Sequence, residues 1–325
     1  MTKTDTRDVD ATVGQLESLA QLGCEIARVA IPDRGSASCF GRIRARSPIP
    51  LVADIHFDHR LAIVAMEEGA EGIRINPGNI GGKEPLEAVA RAVMGRGVSL
   101  RVGVNAGSLE KVVYAKHGGA TALALAKSTI VYCRWLEEFG LENLILSAKS
   151  NSVPVTLEAY RILAKVTDYP LHIGITEAGL ATAGVIKSAV GLGILLSEGI
   201  GDCLRVSLTG PPEQEVRVGY EILKSLGLRK RGPTLVACPT CGRCEVDLQT
   251  IAEEIYRALE SVEQPITVAV MGCEVNGPGE AREADVGLAC GKRGGLIFRR
   301  GEVVRKVKEK EMVQALLAEV RALIE

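Results

Sequence analysis

The chain has 325 residues, of which 46% are hydrophobic, 24% are charged and only 3% are aromatic, and its formal net charge is -1. This length suits two cores, and an aliphatic-rich composition is typical of buried parallel strands with their covering helices. The near-zero charge gives no electrostatic support for nucleic acid or an acidic membrane surface as a partner, because phosphate-backbone binders carry a clear basic excess.

Short β-rich runs alternate with helical patterns from about residue 10 to residue 228. The seven predicted strands are 25–31, 50–56, 71–76, 100–105, 143–149, 170–176 and 202–208. Helices are predicted between them, for example at 11–23 and 212–227. Repeated βα units imply a parallel sheet, and seven or eight of them favour a TIM-type (β/α) barrel, here assigned to residues 1–230.

The predicted barrel apparently lacks its first strand. A barrel of eight strands needs one more strand before residue 10, and the polar segment MTKTDTRDVD does not supply a full one. We therefore expect either that the barrel is completed in an unusual way or that the chain lacks its natural N-terminus.

The βα rhythm ends near residue 231, where the density of cysteines rises. The remainder is predicted as strand 234–238, helix 247–260, strand 266–272, a loop, three strands between 285 and 307, and a closing helix at 309–323. Residues 231–325 are thus expected to form a small α+β domain.

Polar residues are dense where the predicted barrel strands end, which is where barrel enzymes carry their chemistry. The candidates for substrate binding are His56, Arg74, Asn76, Arg101, Asn105, Lys149, Arg205 and Ser207. Four converging cations with Asn and Ser donors among them suit a compact polyanion such as a diphosphate. For any single residue a strand-end ion pair explains the position equally well, so the prediction of a diphosphate site depends on the eight residues taken together.

Glu177 differs in sign from this basic group. A carboxylate beside several cations is a candidate proton donor or acceptor, and we expect it to be catalytic. An ion pair with one of the cations is the structural alternative.

Nine cysteines in a chain without a signal peptide are expected to be reduced, because the polar start and the absence of an 18-residue apolar run indicate a cytoplasmic protein. Cys238 and Cys241 form a C-x2-C pair, and Cys273 follows a later strand. Such a set can hold one metal centre from two loops. Asn276 stands where a second zinc-ribbon pair would need a thiol, and Leu248 stands where a ferredoxin run starting at Cys238 would need its fourth.

The loop after Cys273 offers an oxygen ligand. We expect Gly277, Pro278 and Gly279 to form a tight turn that brings the carboxylate of Glu280 back toward the thiols. A loop carboxylate with no role is the alternative. From the residues alone, zinc and iron–sulfur both remain open, and Cys244 is ambiguous.

Seven composite motifs occur in order along nearly the whole chain. They are ADIHFDHR (53–60), RINPGNIG (74–81), VGVNAGSLE (102–110), GITEAG (174–179), GIGDCLRVSL (199–208), CPTCGR (238–243) and GCEVNGPGEA (272–281). In these motifs the chain closely resembles the bacterial 4-hydroxy-3-methylbut-2-enyl diphosphate synthase family. The resemblance implies a [4Fe–4S] cluster held by Cys238, Cys241, Cys273 and Glu280, and it leaves Cys244 without a role.

The resemblance also implies an activity. It is the reductive ring opening of 2-C-methyl-D-erythritol 2,4-cyclodiphosphate with two electrons from ferredoxin or flavodoxin, in isoprenoid precursor biosynthesis. A substrate oxygen would replace Glu280 at the cluster, and Glu177 would handle a proton of the departing hydroxyl. The family further implies a homodimer in which the cluster domain of one subunit caps the barrel of the other. Family members carry an extra N-terminal segment with a strand, so the resemblance favours a misassigned or truncated start.

Two rivals stay open at this point. One is a zinc-stabilised barrel lyase or aldolase acting on a phosphorylated small molecule, in which the three thiols are structural. The other is a non-catalytic electron carrier or cluster scaffold, which would not need the basic group of the barrel.

Overall fold

All seven runs predicted as barrel strands contain a strand in the computed structural model, which describes residues 1–292 and 294–325. The strands are β1 Ala27–Ala30, β2 Leu51–Ile55, β3 Gly72–Ile75, β4 Ser99–Asn105, β5 Leu144–Lys149, β6 His172–Ile173 and β7 Cys203–Leu204. They belong to a compact unit, Met1–Leu228, and the remaining residues Arg229–Glu325 form a second unit.

The barrel strands follow one another in chain order and run parallel. Strands β1 to β5 form one sheet, β6 pairs with β7, and a single parallel bridge between Leu146 and Leu171 joins the two groups. As expected, no strand is assigned among residues 1–8. The start of the chain nevertheless lies beside β1, because the Thr2 N–H donates to Arg28 O at 2.9 Å.

Ten helices lie in the described part of the first unit. They are α1 Val9–Gln21, α2 Arg34–Arg46, α3 His59–Glu67, α4 Pro77–Ile80, α5 Lys83–Val93, α6 Lys111–Lys116, α7 Ala122–Glu138, α8 Val153–Val166, α9 Ala181–Ser197 and α10 Pro212–Ser225. The predicted helices at 11–23 and 212–227 correspond to α1 and α10. Side-chain caps fix several starts: Thr121 accepts a hydrogen bond from the Ala124 N–H at α7, and Ser152 accepts one from the Val155 N–H at α8.

The sheet separates apolar from charged side chains by simple alternation. Ala53 pairs with Ile73 and Ile73 pairs with Leu100, and all three are fully buried in the apolar core. One residue further along each strand, Asp54 pairs with Arg74, and Arg74 pairs with Arg101. Because successive side chains point to opposite faces, the charged residues share the other face.

The second unit is a five-stranded mixed sheet with helices. Its elements are β8 Thr234–Ala237, α11 Leu248–Leu259, β9 Thr267–Met271, α12 Gly277–Glu283, β10 Val286–Gly291, β11 Gly294–Arg299, β12 Glu302–Val307 and α13 Met312–Ile324. The strand order is β12-β11-β10-β9-β8. Strands β8, β9 and β10 are parallel, and the pairings of β11 with β10 and with β12 are antiparallel. Apolar residues of α11 and α13 pack with the sheet in one core.

The tight turn predicted at Gly277–Gly279 is wrong, since these residues form the first turn of α12. Proline fits there because the N–H groups of a first turn have no partner within the helix. Gly277 packs closely on the sheet: an added Cβ would lie 3.1 Å from the side chain of Met271. A short helix packed closely on the sheet is therefore found where a tight turn was predicted.

Across the described residues, every helix is too short or too polar to cross a membrane.

Candidate active site

Five cationic side chains gather inside the first unit. We call the set Arg28, Arg74, Arg101, Lys149 and Arg205 the basic cluster. Arg74 and Arg101 are direct partners on adjacent strands. Burial holds the pKa of Lys149 well below its usual value, and the positive charges of Arg205, Arg101 and Arg28 lower it further. Burial and the charge of Arg74 likewise lower the pKa of Arg101 to about 10. The cluster therefore carries an excess of buried positive charge.

Asp54 is the carboxylate that holds one side of this cluster. Its oxygens lie 3.1 Å from Arg74 Nη1, 3.3 Å from His56 Nε2 and 3.7 Å from Arg28 Nε. Burial alone would raise the pKa of Asp54, but the hydrogen bond with His56 and the charges of Arg28 and Arg74 outweigh it and hold the pKa well below its usual range. Asp54 thus remains ionised and aligns Arg74 and His56.

On the other side of the cluster, the charge of Glu215 acts on Arg205, but this carboxylate forms its ion pair with Lys3. Within residues 1–292 and 294–325, neither Lys149 nor Arg101 forms an ion pair, although both side chains are buried. Arg205 donates a hydrogen bond to Ser207 Oγ, and burial lowers its pKa. Buried cations that lack partners are costly unless a ligand supplies the negative charge.

Two glycines provide the space that these long side chains occupy. A Cβ on Gly103 would lie 2.6 Å from Arg74 Nε, and a Cβ on Gly174 would lie 3.1 Å from Lys149 Nζ and 2.5 Å from Arg205 O. Real Cβ atoms do not approach so closely, so larger residues would displace the cations.

The predicted Asn residues lie at the ends of β3 and β4. Asn76 donates from Nδ2 to Ser108 Oγ at 2.6 Å, while its buried Oδ1 has no partner in the described part of the chain. Asn105 ends β4 and is half-buried. Ser108 Oγ also donates to Asn105 O at 3.2 Å, so one serine connects the two loops.

Glu177, Arg205 and Ser207 line one cavity of about 330 Å³, which is the size of a small-metabolite pocket. Glu177 is exposed to this cavity and has a φ of 51°, in the left-handed region that a non-glycine residue seldom adopts. Such backbone strain is found mostly where a side chain must be held for function. The structure therefore places the predicted acid beside two of the predicted binding residues.

In the second unit, the loop after β8 carries three of the thiols, Cys238, Cys241 and Cys244. The loop is held against the end of β9, because the Glu245 N–H donates to Gly272 O at 3.1 Å. Thr240 has a φ of 52°, so this loop also contains left-handed backbone. These contacts bring the loop next to the residue that precedes Cys273.

Cys273 lies just before α12, where main-chain N–H groups have no partner within the helix. Hydrogen bonds from the N–H groups of Asn276 and Val275 lower the pKa of its thiol, and the side chain of Arg243 adds to this. The thiolate is the form that binds metals. Glu280 sits in the first turn of α12 and is exposed.

The three thiols predicted as metal ligands therefore lie on adjoining loops and Glu280 lies in the first turn of α12, but the structure does not gather the four side chains. Over residues 1–292 and 294–325, no three Cys, His, Asp or Glu side chains lie close enough together to form a metal-binding group.

Two residues of the basic site, Arg28 and Asp54, were not predicted from the sequence. Arg28 was not singled out, although a charged residue inside the apolar run IARVAI is a signal that could have found it. Asp54 was not among the candidates, because its contacts with Arg74 and Arg28 depend on strand register.

Comparison with known proteins covers both units. The family model described as the GcpE TIM-barrel domain matches residues 1–220, and the one described as the GcpE protein C-terminal domain matches residues 234–322. The chain is 56% identical over 324 residues to the 4-hydroxy-3-methylbut-2-en-1-yl diphosphate synthase (flavodoxin) of Geobacter sulfurreducens, covering 100% of this chain and 92% of that protein. The proteins of the same name from Maridesulfovibrio salexigens and Caldanaerobacter subterraneus are 55% and 51% identical, over 96% and 100% of this chain and 87% and 91% of theirs.

Proposed function

The chain belongs to the GcpE family of 4-hydroxy-3-methylbut-2-en-1-yl diphosphate synthases, and on this basis we propose how its residues perform that reaction. The reaction opens the ring of 2-C-methyl-D-erythritol 2,4-cyclodiphosphate by a two-electron reduction and releases a hydroxyl as water, in isoprenoid precursor biosynthesis. The relatives bear the name of this synthase and not that of a lyase or aldolase, which argues against the zinc-stabilised lyase or aldolase.

The observation that carries the proposal is the surplus of buried positive charge in the barrel. The basic cluster holds five cations around one carboxylate, Asp54, which pairs with Arg28 and Arg74, and the other three cations form no ion pair in the described residues. A cyclic diphosphate supplies the missing negative charge with oxygens that guanidinium groups bind in pairs. Arg74 is already oriented for this by Asp54, so little side-chain freedom is lost on binding.

Residues around the cluster orient the substrate and handle protons. We assign substrate contacts to His56, Arg74, Asn76, Arg101, Asn105, Lys149, Arg205 and Ser207. The unpaired Oδ1 of Asn76 is free to accept a hydrogen bond from a substrate hydroxyl. Glu177, exposed in the same cavity as Arg205 and Ser207, donates the proton that the departing hydroxyl needs to leave as water.

The donors of the second unit fit a [4Fe–4S] cluster by their chemistry. Three thiols lie on two adjoining loops, the carboxylate lies in the first turn of α12 that follows, and N–H groups lower the pKa of one thiol. Cys238, Cys241, Cys273 and Glu280 are the residues that would hold the cluster. When bound, it would deliver single electrons, and the carboxylate-held iron would be the position open to a substrate oxygen.

The electron donor, assembly and location follow the family. The relatives' names specify flavodoxin, so we propose flavodoxin as the electron donor, with ferredoxin as the alternative outcome. We further propose a cytoplasmic homodimer in which the cluster unit of one subunit serves the barrel of its partner.

The test is anaerobic turnover of the cyclodiphosphate together with iron analysis. We expect visible iron–sulfur absorbance, about four irons per chain and product formation with a chemical reductant or flavodoxin. Cys273→Ala should lose iron, whereas Cys133→Ala, in α7 of the other unit, should retain it. Glu280→Ala should keep most of the iron on three thiols but lose turnover. Bound zinc without turnover would overturn the proposal.

A further inference from the structure

His172 and Cys203 form a buried pair, and neither residue is among those assigned to the substrate or to the iron–sulfur cluster. They are register partners on β6 and β7, and His172 Nδ1 lies 2.9 Å from Cys203 Sγ. The main chain at this point is fixed, because Tyr160 donates from its hydroxyl to His172 O at 2.7 Å. The imidazole is thus held in one orientation.

The second ring nitrogen of His172 is buried and has no hydrogen-bond partner in the part of the chain that the structure describes. The residue is only 8% exposed. Its neighbours include four members of the basic cluster: burial and the charges of Arg101, Lys149, Arg205 and Arg28 hold the pKa of His172 well below its usual value. His172 is therefore neutral, and its unpartnered Nε2 is buried where the charges of the basic cluster act on the ring.

The partner of Nδ1 decides which nitrogen carries the proton. Burial raises the pKa of the Cys203 thiol, so the sulfur keeps its hydrogen. An imidazole nitrogen accepts hydrogen bonds far better than a thiol sulfur, so Cys203 donates to Nδ1 and the ring proton resides on Nε2. A buried N–H donor without an acceptor is unfavourable, and it fits a site whose acceptor arrives with the ligand.

We propose that His172 Nε2–H donates a hydrogen bond to an anionic oxygen of the bound cyclic diphosphate, and that Cys203 is a positioning residue that fixes the required tautomer. This inference rests on the proposed function, because it needs the diphosphate in the basic cluster. An uncharged donor adds a hydrogen bond without adding another positive charge to an already repulsive site.

Calorimetric titration of the holoenzyme with the cyclodiphosphate tests the binding role. We expect His172→Phe to weaken binding about tenfold, in line with the loss of a hydrogen bond to a charged group. Cys203→Ser, whose hydroxyl also donates to Nδ1, should stay within about twofold of wild type, while Cys203→Ala should weaken binding several-fold. Wild-type affinity in both His172→Phe and Cys203→Ala would overturn the inference.

Nitrogen-15 spectra of the histidines provide a readout that a purely structural role would not move. The chain has four histidines, so the rings can be assigned by single substitutions. We expect His172 to show the Nε2–H tautomer in wild type and Cys203→Ser, a mixture in Cys203→Ala, and a shift of Nε2 when the cyclodiphosphate binds. Finding the Nδ1–H tautomer in wild type, or no change in the Nε2 chemical shift on cyclodiphosphate binding, would contradict the proposal. Both observations use the wild-type protein, so they do not depend on whether a variant folds.

Arg101→Ala separates this inference from the proposed function. If wild type does not bind the cyclodiphosphate, the proposed function fails. If wild type binds the cyclodiphosphate, Arg101→Ala binds it more weakly and His172→Phe binds it as tightly as wild type, then only the role of His172 fails.

Discussion

Arg101 is buried next to Arg74 and forms no ion pair in the described residues, so its charge is available to a ligand. We expect Arg101→Ala to weaken cyclodiphosphate binding by about ten- to a hundredfold, the range for a hydrogen bond to a charged group. Calorimetric titration measures this change. The matched control is Arg91→Ala, which removes an exposed guanidinium paired with Glu87 on α5 and should leave binding unchanged. Equal affinities for Arg101→Ala and wild type would exclude the cluster as the diphosphate site.

We expect the Lys149 side chain to lower the free energy of unfolding while it strengthens substrate binding. The pKa of Lys149 is lowered in the folded state, so the unfolded chain binds more protons below the ordinary lysine pKa of about 10.4. Its contribution therefore makes the free energy of unfolding fall as pH decreases from about 10 toward the folded pKa. We expect Lys149→Met to remove this dependence, raise stability at neutral pH by about 1–2 kcal/mol and weaken binding.

Urea unfolding of wild type and Lys149→Met between neutral and alkaline pH gives the required difference. Lys127→Met, at an exposed position on α7, controls for the loss of a lysine and should follow wild type. A Lys149→Met protein that is less stable than wild type at neutral pH would show that the ammonium has a favourable partner.

How much of the site the sequence predicts depends on the residue. Arg74, Arg101 and Lys149 can be found because charges inside apolar strands are conspicuous. Cys203 cannot be found in this way, since its contact with His172 depends on the register of two strands that are far apart in the chain. Pairings of this kind appear only once the sheet is built.

At the scale of elements, Gly174 follows β6 and lies against the main chain after β7. Because an added Cβ would lie 2.5 Å from Arg205 O, we expect Gly174→Ala to destabilise the protein by about 1–3 kcal/mol and to weaken substrate binding by moving Arg205 and Lys149.

Gly193 provides a control of opposite sign. It lies inside α9 with nothing within 4 Å of its added Cβ, so Gly193→Ala should stabilise the protein by about 0.5–1 kcal/mol without affecting binding. Thermal or urea unfolding of both variants measures the difference. Equal stabilities for the two variants would show that the packing around Gly174 is looser than the structure indicates.

Element prediction succeeded where hydrophobic runs are continuous and failed where small residues are ambiguous. All seven barrel strands were predicted, although β6 and β7 are only two residues long. Helix α12 was missed because Gly-Pro-Gly is typical of turns, and only its packing against Met271 and the sheet makes it helical.

At the scale of the whole molecule, the proposed homodimer can be tested by subunit complementation. Arg101→Ala damages the barrel site and Cys273→Ala damages the cluster site, so each variant alone should show little turnover at a substrate concentration that just saturates wild type. If the cluster unit of one subunit serves the barrel of its partner, a mixed dimer retains one intact pair of sites. Random mixing during co-expression should then restore about one quarter of wild-type turnover.

The complementation assay compares co-expressed variants with each variant alone. A double variant, Arg101→Ala with Cys273→Ala in one chain, co-expressed with wild type serves as the control for dimer formation. No recovery of turnover, combined with normal dimers, would show that each chain uses its own cluster.

Family membership was predicted from seven motifs and is confirmed by relatives at 51–56% identity. Long composite motifs of this kind report the fold and the reaction together, since they contain the strands and the functional residues at once. They do not report the distances between those residues, and for this reason the gathering of the four proposed cluster ligands stays a prediction.

The repulsion stored in the barrel links the protein's lifetime in the cell to its metabolite supply. A ligand that binds only the folded chain raises the free energy of unfolding in proportion to the logarithm of its concentration. Proteases act on the small unfolded fraction, which is largest when the cations have no counter-charge. The substrate-bound enzyme should therefore be degraded more slowly than the ligand-free enzyme, whose excess of buried positive charge has no anion to balance it.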